Sequence, residues 1–204
     1  MTDALLELLL LADSALPTGA FTASVGWETA VRDGRIAGPA DVALWLEGAL
    51  EDAVGPLELP TVARAVRART PEAPSRALDA RIPVAAWREA SLGVGARLLR
   101  LGGERERPCH RAAAFGWLAG RAGAGVAEAA AAYAQAALLG QAQVAVRLGV
   151  LAGDDAIAML RGLRPGIEHH ARLACDGRLR AACAVRWEID GMRQRHLSSR
   201  LFAS

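Results

Sequence analysis

The 204-residue chain contains no lysine, and all 24 of its basic residues are arginine. A phosphate-binding loop of the Gly-x-x-x-x-Gly-Lys type is therefore excluded, because its lysine contacts the nucleotide phosphates. The 22 acidic residues leave a net charge of only +2. Such a small net charge produces no overall field that would favour binding to nucleic acid or to an anionic membrane.

Cysteine and aromatic residues are also scarce, with three Cys, one Tyr and three Phe. Three cysteines do not make a disulfide framework, so we expect reduced thiols and a cytoplasmic protein. The apolar N-terminus carries Asp3 and Glu7 where a secretory signal needs basic residues. The longest uncharged stretch, Ala129–Val146, includes three glutamines and is too polar for a membrane span. We therefore expect no membrane association.

The apolar pattern predicts an all-α protein. Val42, Trp45, Leu46 and Ala49 recur at helical spacing, as do apolar residues in most of the later segments. No run shows the β-branched alternation that strands require. We predict one domain over residues 1–204, built as an irregular bundle of about seven to ten short helices, with a mobile C-terminal tail over 193–204. Gly55–Pro56 is predicted to end the helix that begins at Gly38–Pro39.

The most informative segment is the N-terminal stretch Leu11–Gly34. Pro17 fixes one backbone dihedral, and Gly19 is free to take a positive φ, so a sharp corner should follow the first helix. A second helix is predicted from about Thr22 to Asp33, with Gly34 at its end. Local physics leaves two readings open: a helix–helix turn with Phe21 filling the core, or a functional surface.

Catalytic motifs are not visible in the chain. No serine lies in a Gly-x-Ser-x-Gly elbow, and Gly93 and Gly95 form only a fragment of a dinucleotide fingerprint. An all-α enzyme with a hidden pocket remains one alternative.

The N-terminal segment resembles that of the urease accessory protein F (UreF) family. Nine residues fall in register over seventeen positions: Ser14, Leu16, Pro17, Gly19, Phe21, Ser24, Gly26, Glu28 and Ala30. Three further segments are similar to the family: Arg88–Leu101, Leu138–Ala158 around its core Ala145–Leu148, and Ser198–Ser204. Trp27 and the run Gly149–Ala152 depart from the family pattern.

The resemblance implies an all-α, non-catalytic protein needed for nickel insertion into apo-urease. It implies a bridge between the scaffold protein UreD (UreH in some systems) and the GTPase UreG, with a role in regulating GTP hydrolysis. It also implies a homodimer within the complex and no directly bound cofactor, nickel being handled by the complex. The partner-binding candidates that follow from it are Pro17, Gly19, Phe21, Ser24, Gly26, Glu28, Arg200, Leu201 and Phe202.

Two further functions stay open as alternatives. One is a metallochaperone that binds nickel itself through residues drawn from Cys109, His110, His169, His170 and Cys175. Adjacent histidines on a helix point about 100° apart, which disfavours a shared ion. The other is a nucleic-acid binder that uses local arginines despite the near-neutral total charge. Its candidate residues are Arg178, Arg180, Arg186, Arg193 and Arg195.

Overall fold

A computed structural model describes residues 2–19, 25–197 and 201–202. Every element in these ranges is helical, which confirms the predicted all-α class. The elements are α1 (Thr2–Ala12), α2 (Trp27–Arg32), α3 (Pro39–Ala49), a π-helical segment (Leu50–Glu58), α4 (Leu59–Val66), α5 (Glu72–Asp79), α6 (Ala85–Leu101), α7 (Arg111–Arg121), α8 (Val126–Arg147), α9 (Gly153–Gly162), α10 (Arg164–Ala174) and α11 (Val185–Gln194). Because α3, the π-helical segment and α4 are continuous, the described chain forms ten separate helical segments.

The longest helix, α8, lies at the centre of the bundle and packs against α1, α3, α4, α7, α9 and α10. Its many alanines cost little side-chain entropy and allow neighbouring helices to approach on several sides. Tyr133 of α8 packs edge-on against Phe115 of α7, with ring centroids 5.3 Å apart. Within the described ranges, no helix has both the length and the apolar character needed to cross a bilayer.

The most extensive helix contact joins α4 to α7. A Cβ atom at Gly116 would lie 2.5 Å from the Val62 carbonyl oxygen, and one at Gly120 would lie 2.3 Å from that of Val66. Both pairs repeat at four-residue spacing, so the two backbones touch along one turn of each helix. Two glycines of α7 therefore set this crossing.

The predicted helix end at Gly55–Pro56 is wrong. The helix continues through this dipeptide as a π-helical segment. A wider π-turn can accommodate proline, which lacks an N–H donor and would crowd an ordinary α-turn. Gly55 is needed there because a Cβ atom would lie 2.6 Å from the Leu50 carbonyl oxygen and 2.4 Å from His170 Nδ1 of α10.

Two differences concern the ends of the chain. The predicted start of the second helix near Thr22 is wrong: α2 begins at Trp27, because Val25 and Gly26 both have a positive φ, and it ends before Gly34, whose φ of 71° fits the predicted stop. Helix α11 was not predicted at all. It includes the first two residues of the predicted tail 193–204, whose mobility stays a prediction.

Candidate partner-binding site

The N-terminal corner, residues 13–19, is held in place by α6. The Arg97 guanidinium donates a short hydrogen bond to the Thr18 carbonyl oxygen. Gly19 has the predicted positive φ, 71°, and a Cβ atom there would lie 2.8 Å from Arg97 Nη2. Thr18 is buried, whereas Pro17 is exposed. The corner thus presents Pro17 to solvent while Arg97 holds its far side.

Glu28 of α2 is 2 % exposed and reaches the other end of the chain. Its Oε1 atom accepts a hydrogen bond from the Leu201 backbone N–H at 2.8 Å. Arg32 Nη2 lies 3.8 Å from the same oxygen. A buried carboxylate must be paired or hydrogen-bonded to be tolerated, so this contact ties the C-terminal segment to α2.

Leu201 and Phe202 point in opposite directions. Phe202 is 5 % exposed, and the guanidinium carbon of Arg147 lies 4.7 Å from its ring centroid, within cation–π range. Leu201 is 75 % exposed. Phe202 therefore fastens the C-terminal segment to the end of α8, while Leu201 is the side chain presented outward.

Gly26 lies directly beneath α11. Its N–H donates to Gln194 Oε1 at 3.2 Å, and a Cβ atom on it would lie 3.1 Å from Asp190 Cβ. Its φ of 87° is in the left-handed region that glycine favours. The Thr29 hydroxyl donates to the Asp190 carbonyl oxygen at 3.1 Å. Gly26 thus permits the close approach of α11 to α2.

An ion pair between the buried Asp190 and the partly exposed Arg35 completes this attachment. Arg35 donates two hydrogen bonds to the Asp190 carboxylate, one of them 2.7 Å long from Nη1 to Oδ2. The hydrogen bond to Asp190 raises the pKa of Arg35. At the surface, Arg193 donates to Asp33 at 2.7 Å and lowers the pKa of that carboxyl, with a further contribution from Arg35. Helix α11 is therefore fixed to the α2 region mainly by polar contacts.

The outward face of α11 is apolar. Val185, Ile189 and Met192 are each about half exposed and follow one another at four- and three-residue spacing. We call α11 together with Leu201 and Phe202 the C-terminal arm. Sequence reasoning missed this stripe, although its i, i+4, i+7 spacing was a usable signal.

Of the predicted site residues, the structure brings Gly26, Glu28, Leu201 and Phe202 together where the C-terminal arm meets the α2 region. Pro17 and Gly19 lie on the corner instead. Phe21, Ser24 and Arg200 fall outside the described residues.

A cavity of about 220 Å³ lies beside the arm, and Trp187 of α11 forms part of its wall together with Trp87, Tyr133 and Ser91. Trp187 also stacks on Trp45 of α3, with ring centroids 4.9 Å apart. The arm thus covers one side of this largely apolar space.

The candidate metal ligands Cys109 and His110 are engaged within the protein. His110 Nε2 lies 3.0 Å from Asp79 Oδ1, and Nδ1 lies 3.0 Å from Ser91 Oγ. A neutral ring that donates from Nε2 to the carboxylate and accepts at Nδ1 satisfies both contacts. Burial raises the pKa of the Cys109 thiol to about 11. Neither group is poised as a metal ligand, which requires a thiolate or a free ring nitrogen.

The second group of candidates lies on α10. His170 Nε2 is 3.0 Å from Glu51 Oε2, and the His169 ring meets the His170 ring edge-on. The Cys175 thiol donates to the Ala171 carbonyl oxygen at 3.4 Å. Across the ranges that the structure covers, no three His, Cys, Asp or Glu side chains are grouped to hold a metal ion.

The arginines proposed for nucleic acid are partly neutralised. Arg180 pairs with Asp176 at 2.8 Å, and Arg193 pairs with Asp33. Arg186 and Arg195 are exposed on or beside α11. Their position flanks the apolar stripe rather than forming a separate basic surface.

His110 should make stability depend on pH. Burial lowers its pKa below the ordinary 6.5, against the opposing influence of Asp79. At a pH between the two pKa values, His110 is protonated in the unfolded chain and neutral in the folded chain. The stabilisation that is fully present above pH 6.5 is therefore lost as the pH falls. We expect the free energy of unfolding to decrease between pH 7.5 and 5.5, by at most about 1.4 kcal/mol per pH unit for this group.

His110→Gln should flatten that dependence, whereas the exposed His196→Gln should retain it. Urea unfolding of both variants at the two pH values makes the comparison. If the free energy of unfolding changes equally with pH in His110→Gln and in the unmodified chain, His110 does not control the pH dependence.

The described chain is thus an all-helical protein whose C-terminal arm exposes an apolar stripe. The UreF family model matches residues 36–164. The urease accessory protein UreF of Cereibacter sphaeroides is 30% identical over 99% of both chains. That of Rhizobium meliloti is 29% identical over 98% of this chain and 96% of its own.

A third relative, the UreF protein of Teredinibacter turnerae, is 44% identical over 68 residues, or 33% of this chain and 31% of its own length. The chain belongs to the UreF family of urease accessory proteins. Its role therefore lies in urease maturation, within the urease accessory complex.

Proposed function

We propose that the chain is a non-catalytic adaptor that joins the scaffold protein UreD/UreH to the GTPase UreG during nickel insertion into apo-urease. The observation that carries this proposal is the C-terminal arm, which is fastened to α2 and exposes an apolar stripe. Nickel is handled by the complex, and this chain binds no cofactor directly.

The scaffold protein docks on the outward face of the arm. Val185, Ile189 and Met192 form one exposed apolar stripe on α11, and Leu201 is a further exposed apolar side chain of the arm. A cluster of this kind can carry most of the binding energy once it is desolvated. Phe202 serves as the internal anchor of the arm and contributes indirectly. The role of Arg200 as the partner of a scaffold carboxylate stays a prediction.

The GTPase faces the N-terminal corner. Pro17 is accessible there, whereas Gly26 and Glu28 are covered by the arm and shape the surface from beneath. Any influence on GTP hydrolysis then arises from how the corner positions the GTPase. Because Gly26 and Glu28 contact the arm, the two docking surfaces share one structural support.

A second copy of the chain binds along α1. Leu5, Leu6, Leu9 and Leu10 of this helix are more than half exposed, while Leu8 and Leu11 face the core. Four adjacent exposed leucines are unusual on a monomer surface and suit a self-complementary interface between two copies.

Ile189→Asp tests the scaffold surface. A carboxylate in the middle of the stripe would have to be desolvated on binding, so we expect affinity for UreD/UreH to fall on the order of tenfold or more. Ile157→Asp is the matched control, because Ile157 is about as exposed as Ile189 and lies on a different helix, α9. The measurement is copurification and titration with the scaffold protein. Undiminished binding by a folded Ile189→Asp chain would remove this part of the proposal.

The metallochaperone alternative makes a separate prediction. It requires stoichiometric nickel binding by the isolated chain in equilibrium dialysis, and that binding should depend on His169, His170 or Cys175. The adaptor proposal expects no such stoichiometric binding.

A further inference from the structure

Helix α11 is packed with its polar side inward. Asp190 and Gln194 are each 2 % exposed, whereas Val185, Ile189 and Met192 face solvent. At about 100° per residue, the centres of these two sets lie on opposite sides of the helix. A surface helix ordinarily buries its apolar stripe and exposes its polar residues. Burial of the stripe formed by Val185, Ile189 and Met192 would favour turning α11 by about half a turn, whereas the stacking of Trp187 on Trp45 favours the observed orientation.

The polar contacts that hold α11 in the observed orientation converge on Asp190. Its carboxylate accepts two hydrogen bonds from Arg35, and its carbonyl oxygen accepts one from Thr29. One helical turn further on, Gln194 accepts from the Gly26 N–H. Withdrawing Asp190 from this position would separate a buried carboxylate from its guanidinium, which is costly.

We infer that Arg35 and Asp190 are positioning residues that fix the rotational setting of α11 and so keep its apolar stripe available to a partner. A buried ion pair adds little net stability compared with an apolar pair of similar volume, and its best-attested use is to select one register. The inference rests on the proposed docking of the scaffold protein at this stripe.

The flanking charges indicate the chemistry of that partner. Arg186 and Arg195 are exposed beside the stripe. The complementary surface is an apolar groove with carboxylates along its rim, since arginine pairs with carboxylates through two parallel hydrogen bonds.

The first experiment reads the orientation of α11 without any partner. The full chain carries Cys175→Ser, Cys183→Ser and Ile189→Cys, which leaves the buried Cys109 and one reporter thiol. We expect the reporter to react rapidly with a thiol reagent such as dithiobis(nitrobenzoate). Adding Arg35→Gln and Asp190→Ser together removes both charges without adding an apolar side chain to the inward side, and should slow that reaction several-fold, with helix content unchanged.

Asp33→Asn with Arg193→Gln is the matched control, because it removes an exposed ion pair between the same parts of the chain. Its reporter should react as fast as that of the parent. If the double replacement of Arg35 and Asp190 prevents folding, the near-isosteric Asp190→Asn takes its place and should also slow the reaction. An unchanged rate in the folded charge-free variant overturns the inference.

Titration with UreD/UreH separates this inference from the proposed function. We expect the Arg35→Gln, Asp190→Ser chain with native Ile189 to bind the scaffold protein on the order of tenfold more weakly. Slowed labelling with undiminished scaffold binding would support the orientation role and refute docking at the stripe. Unchanged labelling refutes the orientation role whatever the binding result.

Discussion

Gly95→Ala is expected to destabilise the chain by about 3 kcal/mol or more. A Cβ atom at this position of α6 would lie 1.9 Å from the Cys109 carbonyl oxygen and 2.8 Å from the Arg111 nitrogen. Both neighbours are backbone atoms at the start of α7, so no side chain can turn away to make room. Either α7 moves off α6 or the chain does not fold.

Gly93→Ala, two residues earlier in the same helix, is the matched control. A Cβ atom there meets only the Arg97 guanidinium at 3.8 Å, which is an ordinary contact. Alanine should then stabilise the helix by roughly 0.5–1 kcal/mol through its better helix propensity. Urea unfolding of the two variants should give shifts of opposite sign. A Gly95→Ala chain as stable as the parent would contradict the close approach of α7 to α6.

Leu6→Arg is expected to convert a dimer into a monomer. A guanidinium in the middle of the exposed face of α1 would meet its own copy across a two-fold interface, which combines desolvation with like-charge repulsion. The measurement is molar mass by light scattering during size-exclusion chromatography, over a range of protein concentrations.

Leu44→Arg is the control for this experiment. Leu44 of α3 is 68 % exposed and Leu6 is 59 % exposed, so both changes place a charge on an accessible surface. Only Leu6→Arg should change the mass. A parent chain that is monomeric at all concentrations, or a Leu6→Arg chain that stays dimeric, would contradict the proposed interface on α1.

Much of the fold follows from local signals in the sequence. The stop at Gly34, the positive φ of Gly19 and the long alanine-rich α8 depend on residues close together in the chain. The continuation through Gly55–Pro56 was missed because it depends on tertiary packing. There His170 of α10 lies against a glycine, and the wider π-turn accommodates the proline.

The site was only partly predictable. Family resemblance pointed to Glu28 and Leu201, but nothing in the sequence shows that these residues meet, since they are 173 positions apart. The orientation of α11 could not be anticipated either. Amphipathic reasoning assigns Ile189 to the core and Asp190 to solvent, which is the reverse of their positions in the structure.

The structure shows what the segment Arg88–Leu101, which resembles the UreF family, contacts. Ser91 accepts a hydrogen bond from the Arg111 N–H and contacts His110 Nδ1. Because Gly95 has no side chain, the backbone of His110 and Arg111 can lie close to α6. Arg97 holds the N-terminal corner. Helix α6 thus supports the start of α7 with one side and the corner proposed to meet the GTPase with another.

The central claim is that this chain brings the scaffold protein and the GTPase together. Size-exclusion chromatography of UreD/UreH with UreG, with and without the chain, measures that directly. The account predicts that UreG elutes with the scaffold protein only when the chain is present, and that all three proteins share one peak. Elution of UreG with the scaffold protein in the absence of the chain, or failure of the three to elute together, would contradict it.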